Sequence, residues 1–210
     1  MARKPTGKRG FWEIKKTCTH IASSVKYLQF PSSKDEIENL IINIFCREFD
    51  KGGLLKILSA PVKLTEHDID FHINTSLGAM GLELVEDAPL NKDGYRGLRS
   101  EYKSEERYEH IKGLIEIKSQ KYEHYNKTRL KSLIIYNTDS QLGLIDSITA
   151  LVIKYCHTNR MIFDYIFYLN PRPDLTGILD LFYPQEKEIV EQVLSCNEAD
   201  LRKDGYIKIL

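Results

Sequence analysis

The chain has 210 residues, 42% hydrophobic and 29% charged, with 30 Lys and Arg set against 30 Asp and Glu, so its formal net charge is zero. This is a globular composition, and a chain of this length buries roughly 70% of the surface its unfolded form exposes, so it needs no disulfide scaffold. Cys18, Cys46, Cys156 and Cys196 form no CxxC pair; with no leader-like apolar run at the start, reduced thiols and a cytoplasmic location are expected, and no membrane partner.

The zero conceals a division. Residues 1–16 hold Arg3, Lys4, Lys8, Arg9, Lys15 and Lys16 against Glu13, a net of +5, which leaves the rest of the chain at −5. A basic arm before an acidic body suits contact with a polyanion, and a solvated tail is the plainer alternative. From Phe11 to Gln29 the spacing of Phe11, Trp12, Ile14, Ile21, Val25 and Leu28 is loosely helical until Pro31. The expected organisation is a basic arm with a short helix over residues 1–32 and a single α/β domain over 33–210.

Ser33 is a good N-cap, Asp35 and Glu36 sit where the helix dipole favours negative charge, and Ile37, Leu40, Ile41, Ile44 and Phe45 form one apolar face before Gly52 and Gly53. Three segments of strand character follow at 54–64, 68–74 and 80–87, the pattern of a meander. Residues 88–103 are polar and rich in turn formers, and residues 104–127 predict one long helix with Ile111, Leu114, Ile115, Tyr122 and Tyr125 inward. A competing reading makes Gly113–Ser119 (GLIEIKS) a strand. Leu133–Tyr136 fits a strand covered on both faces, Leu142–Cys156 a helix, Phe163–Leu169 and Gly177–Tyr183 two more strands, and Gln185–Leu194 a last amphipathic helix. The order predicts an α/β fold in which a central mixed sheet with an antiparallel meander is flanked by helices on both faces.

Phosphate-loop, dinucleotide, nucleophile-elbow and zinc signatures are absent. What the meander offers is an acidic pair on adjacent strands, Asp70 and Glu83. Mg²⁺ takes one or two carboxylates plus waters and phosphate oxygens, and such a site polarises a phosphodiester and activates water. Lys118 follows Ile115 by three and Ile111 by seven, so on a helix it lies along the apolar face. A lysine there needs a carboxylate or phosphate in front of it. Lys121, at the edge of the same face, is the second basic candidate. Glu48, seven after Ile41 and four after Ile44, adds a carboxylate on the first helix, serving either a metal or a core-facing salt bridge.

DIDFH with Asp70, GLELVED with Glu83, KSQKY with Lys118 and Lys121, and the apolar LIIYN that follows resemble the PD-(D/E)XK, or restriction-endonuclease-like, superfamily over about residues 33–170. That resemblance implies a mixed sheet between helices and Mg²⁺-dependent (or Mn²⁺-dependent) cleavage of nucleic acid, DNA above all. Asp70 and Glu83 would hold the metal with Glu48 in support, and Lys118 would assist at the scissile phosphate. The superfamily's acid-X-Lys spacing would put lysine at position 85, where this chain has Val85. In variant members the lysine moves to a neighbouring helix, which suits Lys118; the literal Glu116-Ile117-Lys118 triplet is the rival and requires the strand reading. Arg3, Lys4, Lys8, Arg9, Lys15 and Lys16 of the arm, with Lys92, Arg96 and Arg99 of the turn-rich segment, would contact phosphates. The absent lysine at 85 keeps a second reading open: a catalytically inactive module of the same fold that binds nucleic acid or a protein, as a homodimer or as a subunit of a larger assembly.

Overall fold

In the computed structural model, which describes residues 9–16, 21–53, 55–64, 69–88, 101–123, 130–138, 144–203 and 206–208, the chain opens with a hairpin where the spacing predicts a helix. Strands β1 (Arg9–Lys16) and β2 (Ile21–Leu28) pair antiparallel from Arg9 opposite Leu28 to Lys16 opposite Ile21. Residue type overrides spacing here. Phe11, Trp12, Ile14, Ile21 and Val25 are aromatic or β-branched, and Thr17 and Thr19 stand where a helix would have to continue; such side chains lose rotamer freedom in a helix and suit a pleated surface.

Helix α1 (Lys34–Gly52) forms where expected. The Ser33 hydroxyl accepts the Glu36 backbone N–H at 3.2 Å and donates to the Glu36 carboxylate at 2.7 Å, a reciprocal cap. The helix stops at Gly53, whose φ of 69° is a left-handed conformation that glycine adopts without a Cβ penalty. A six-stranded sheet follows in the order β3 (Val62–Lys63), β4 (Phe71–Thr75), β5 (Gly78–Asp87), β7 (Leu130–Asn137), β8 (Tyr165–Pro171), β9 (Gly177–Tyr183). Strands β5, β7 and β8 run parallel, and β3, β4 and β9 are antiparallel to their neighbours. The parallel pairs are bridged by α2 (Ser104–Lys121) and α3 (Asp146–Thr158), and α4 (Lys187–Ser195) and α5 (Glu198–Lys203) complete the helices. This is the expected mixed sheet with a meander and helices on both faces.

Two segments differ from the sequence expectation, and one open alternative is settled. The 54–64 segment forms only the two-residue β3 and an isolated bridge between Ile57 and Thr75. Residues 101–103, expected in a loop, form β6 (Glu101–Lys103), which pairs with β10 (Tyr206–Lys208). Helix α2 contains the whole GLIEIKS segment, so the strand alternative falls, and with it the Glu116–Lys118 triplet as a strand motif. Tyr125 lies outside the described residues.

One apolar layer joins Ile37, Ile41, Phe45 and Phe49 of α1 to Phe71, Met80, Leu82, Leu84, Ile134 and Phe167 of the sheet. The other joins Ile111 and Ile115 of α2 and Ile148, Leu151 and Val152 of α3 to Ile69, Leu133, Ile135, Ile166 and Tyr168. Strand alternation thus sends Met80, Leu82 and Leu84 toward α1 and the intervening residues, Glu83 among them, toward α2. Gly81 lets the buried Ile69 side chain lie against the strand. A Cβ at position 81 would come within 2.8 and 2.9 Å of two Ile69 carbons. Gly81→Ala is therefore expected to lower stability by about 1–3 kcal/mol as an overpacked core site, read from urea unfolding with an unchanged m-value.

Candidate active site

Strand register brings the two acids of the meander together. Phe71 pairs with Leu82, so Asp70, one residue earlier, lies beside Glu83 on the neighbouring strand. Asp70 does not extend the ladder; its Oδ2 accepts the Leu84 backbone N–H at 2.8 Å. Glu83 points into the α2 layer and is fully buried. Its Oε1 accepts the Lys118 ammonium at 2.6 Å and the Lys121 ammonium at 3.2 Å, and the Tyr122 hydroxyl donates to Oε2. An ionised carboxylate inside a core costs several kcal/mol unless it is paired and hydrogen-bonded, and these three donors meet that requirement from consecutive turns at the end of α2. Lys118 keeps 21% of its side chain exposed and Lys121 49%, so the cage opens to solvent on the lysine side.

Asp70 is treated differently. Burial, then the negative charge of Glu83, push its carboxyl above the ordinary carboxylate range, with weaker opposition from the Leu84 N–H and from Lys118. A third carboxylate, Glu38 of α1, also acts on it. Glu38 is buried and held by Lys34 at 3.3 Å and Lys63 at 2.9 Å. Asp70 therefore lies near two lysine-compensated acids, and the described residues give its Oδ1 no hydrogen-bond donor. The same negative field reaches Tyr136, whose phenol is raised by burial first and then by Glu86, Glu38 and Asp70.

The chemistry of this donor set suits a hard cation in part. No group of three or more His, Cys, Asp or Glu capable of holding a metal occurs among the described residues, yet Mg²⁺ needs only one or two carboxylates beside water and phosphate oxygens. Among the described residues, Asp70 offers an oxygen that accepts no hydrogen bond and a carboxylate that makes no ion pair. Glu83 offers charge but has its Oε1 covered by two ammonium groups.

Glu48 is paired with Lys51 at 3.1 Å, ten residues and so about 15 Å along the helix from Glu38; the carboxylate of α1 that acts on Asp70 is Glu38. Arg9, Lys15 and Lys16 fall on β1. Arg3, Lys4, Lys8, Lys92, Arg96 and Arg99 lie outside the described residues, as does Asp68. Two contributors escaped the sequence reading. Glu38, Ile41, Ile42 and Phe45 stand at i, i+3, i+4 and i+7, so the helical stripe itself marks Glu38 as buried. Helical spacing turns Tyr122 inward without showing what its hydroxyl meets.

A second buried ion pair fixes α2 at its other end. Arg107 donates to Asp87 through both terminal nitrogens, at 2.9 and 2.6 Å, and the Tyr168 hydroxyl donates to the same carboxylate. His110 Nε2 lies 3.3 Å from it. Burial alone would raise the Asp87 carboxyl, but the Arg107 charge and hydrogen bonds, with help from His110, hold it well below the carboxylate range.

No protein-family model and no curated protein matches the sequence. Among solved structures, that of Pyrococcus furiosus SfsA in complex with Ca²⁺ aligns over 82% of this chain and 74% of that chain, at 14% identity and a TM-score of 0.29. A score that low supports no inference about this chain.

Two outcomes are expected at the Asp87 pair. Arg107→Leu strands a buried carboxylate and costs about 3–5 kcal/mol in denaturant unfolding. Because the folded-state carboxyl of Asp87 is depressed, its contribution is present above the unfolded value near 3.8 and is lost as pH falls below it. The gap in melting temperature between the parent chain and Asp87→Asn is therefore expected to hold from pH 6 to about pH 4 and to narrow on further acidification.

Proposed function

We propose that this chain is a metal-dependent phosphodiesterase that cuts nucleic acid, with DNA as the expected substrate. The observation that carries the reading is the union of Asp70 and Glu83 on adjacent strands with Lys118 seated on Glu83 at 2.6 Å. This is the acid, acid and lysine set of the PD-(D/E)XK resemblance, with the lysine supplied by a helix in place of position 85.

Asp70 and Glu83 would hold Mg²⁺ or Mn²⁺. Such an ion supplies Lewis-acid polarisation of the phosphoryl oxygen and a water of lowered pKa. Lys118, anchored on Glu83, sets positive charge at the edge of the site, where it can face the negative charge that develops on a phosphate. Tyr122 fixes the second oxygen of Glu83 and thereby the plane of the carboxylate. Glu38 and Asp35, paired with Lys34 and Lys63, border the site on the α1 side, and their balanced charges leave Asp70 as the carboxylate with no ion pair among the described residues. The basic residues of the arm and of the 88–103 segment are the expected contacts to backbone phosphates, since phosphate contacts position a duplex without reading its sequence.

One observation favours a second reading. Glu83 is already satisfied by three protein donors, a state that suits an inactive scaffold binding nucleic acid through its basic arm. The two readings separate cleanly. Incubation of supercoiled plasmid and single-stranded DNA with Mg²⁺ or Mn²⁺ is expected to give cleavage that falls at least ~100-fold in Asp70→Ala and in Glu83→Ala. Cleavage that survives both substitutions removes this site. Salt-sensitive binding without cleavage, unchanged by either substitution, establishes the scaffold reading instead.

A further inference from the structure

Lys118 and Lys121 share one oxygen of Glu83 but hold it unequally. Lys118 is 2.6 Å away and mostly covered; Lys121 is 3.2 Å away and half exposed. Lys121 is also the last residue of α2, followed by a turn at Tyr122 and Glu123. Its ammonium lies 4.7 Å from the centre of the Tyr122 ring, an attractive position for a cation that does not require the carboxylate. A carboxylate oxygen has two lone pairs, so the two ammonium groups leave none on Oε1.

The charge balance points the same way. Asp70 and Glu83 carry two negative charges when ionised, and the two lysines already match them. A divalent cation added with both lysines in place would leave a net +2 in a largely buried site, beside two ammonium groups. Release of one lysine to water halves that excess and frees a lone pair. The looser, more exposed and helix-terminal partner is the one that can leave.

We propose that Lys121 is the exchangeable counter-ion of Glu83: its ammonium leaves Oε1 when a divalent cation enters beside Asp70, while Lys118 stays. This rests on the metal-site reading above and deepens it, because the occupied site then presents a freed lysine at the mouth where a phosphate would approach. Metal occupancy and phosphate capture are coupled through one side chain.

The test uses the full chain and Mn²⁺ alone. Pulse acetylation with an amine-reactive ester, mapped by mass spectrometry, is expected to show Lys121 labelling that rises at least ~3-fold on adding Mn²⁺, with Lys118 and the exposed control Lys187 unchanged. Calorimetry is expected to show Mn²⁺ binding ~10-fold tighter in Lys121→Met than in the parent chain, near-parental binding in Lys121→Arg, and no binding in Asp70→Asn. Circular dichroism confirms that each variant is folded. Binding by Lys121→Met where the parent chain binds none also supports the exchange. Parental Mn²⁺ binding that disappears in Asp70→Asn, while Lys121 labelling and the Lys121→Met affinity stay at parental levels, overturns the exchange and leaves the metal site standing. No Mn²⁺ binding by the parent chain or by Lys121→Met overturns both.

Discussion

The structure is organised around the need to neutralise a carboxylate buried in its core. Glu83 has no solvent exposure, and leaving such a charge unpaired costs several kcal/mol, a large part of the 5–15 kcal/mol that typically holds a domain together. The end of α2 answers this requirement with Lys118, Lys121 and Tyr122. That solution dictates where the helix must sit, why its apolar stripe is interrupted by ammonium groups, and why the turn after Lys121 must bring a phenol inward.

The same strand carries a second demand four residues on. Glu83 and Asp87 face the α2 layer about 13 Å apart along β5, and Lys118 and Arg107 are separated by about 16 Å along α2. Two ion pairs with nearly matched spacing lock the helix antiparallel to the strand at both ends. Only the Arg107–Asp87 pair is completely enclosed, with side-chain exposures of 1% and 0%. The Glu83 end opens to solvent through its lysines. One end is a structural clamp and the other is accessible, which makes the lysine end the part of the helix free to take on chemistry. Asp70, brought beside Glu83 by the β4–β5 register but making no ion pair among the described residues, is the residue at which that chemistry would begin.

Most of the layer architecture was legible in the sequence because its signals are local. Ser33 and Gly53 bracket α1, the seven-residue run at 177–183 is a strand as read, and the stripe through Ile111 and Ile115 predicts that Lys118 turns inward. The N-terminal hairpin was not legible from spacing alone, since loosely helical intervals conceal a run of aromatic and β-branched residues whose preference is for a sheet. Pairing partners were beyond the sequence. Helical spacing demanded an acid for Lys118 without naming it, and only strand register shows that Glu83 is the acid. Glu38 and Glu48 stand about 80° apart around α1 and about 15 Å apart along it, and only the fold shows that Glu38 is the one near Asp70. The apparent neutrality of the chain hid the same lesson: Lys34 and Lys63 hold Glu38, Lys118 and Lys121 hold Glu83, and Asp70 makes no ion pair among the described residues.

Asp70 and Glu83 are proposed to form one cation site from which Lys121 withdraws. The most direct measurement is anomalous diffraction at the manganese edge from crystals of the full chain grown with Mn²⁺. The expected result is a peak at the Asp70 and Glu83 carboxylates, with Lys118 still on Glu83 and Lys121 turned to solvent. A structure under the same conditions with no peak at Asp70 and both lysines still on Glu83 would contradict it.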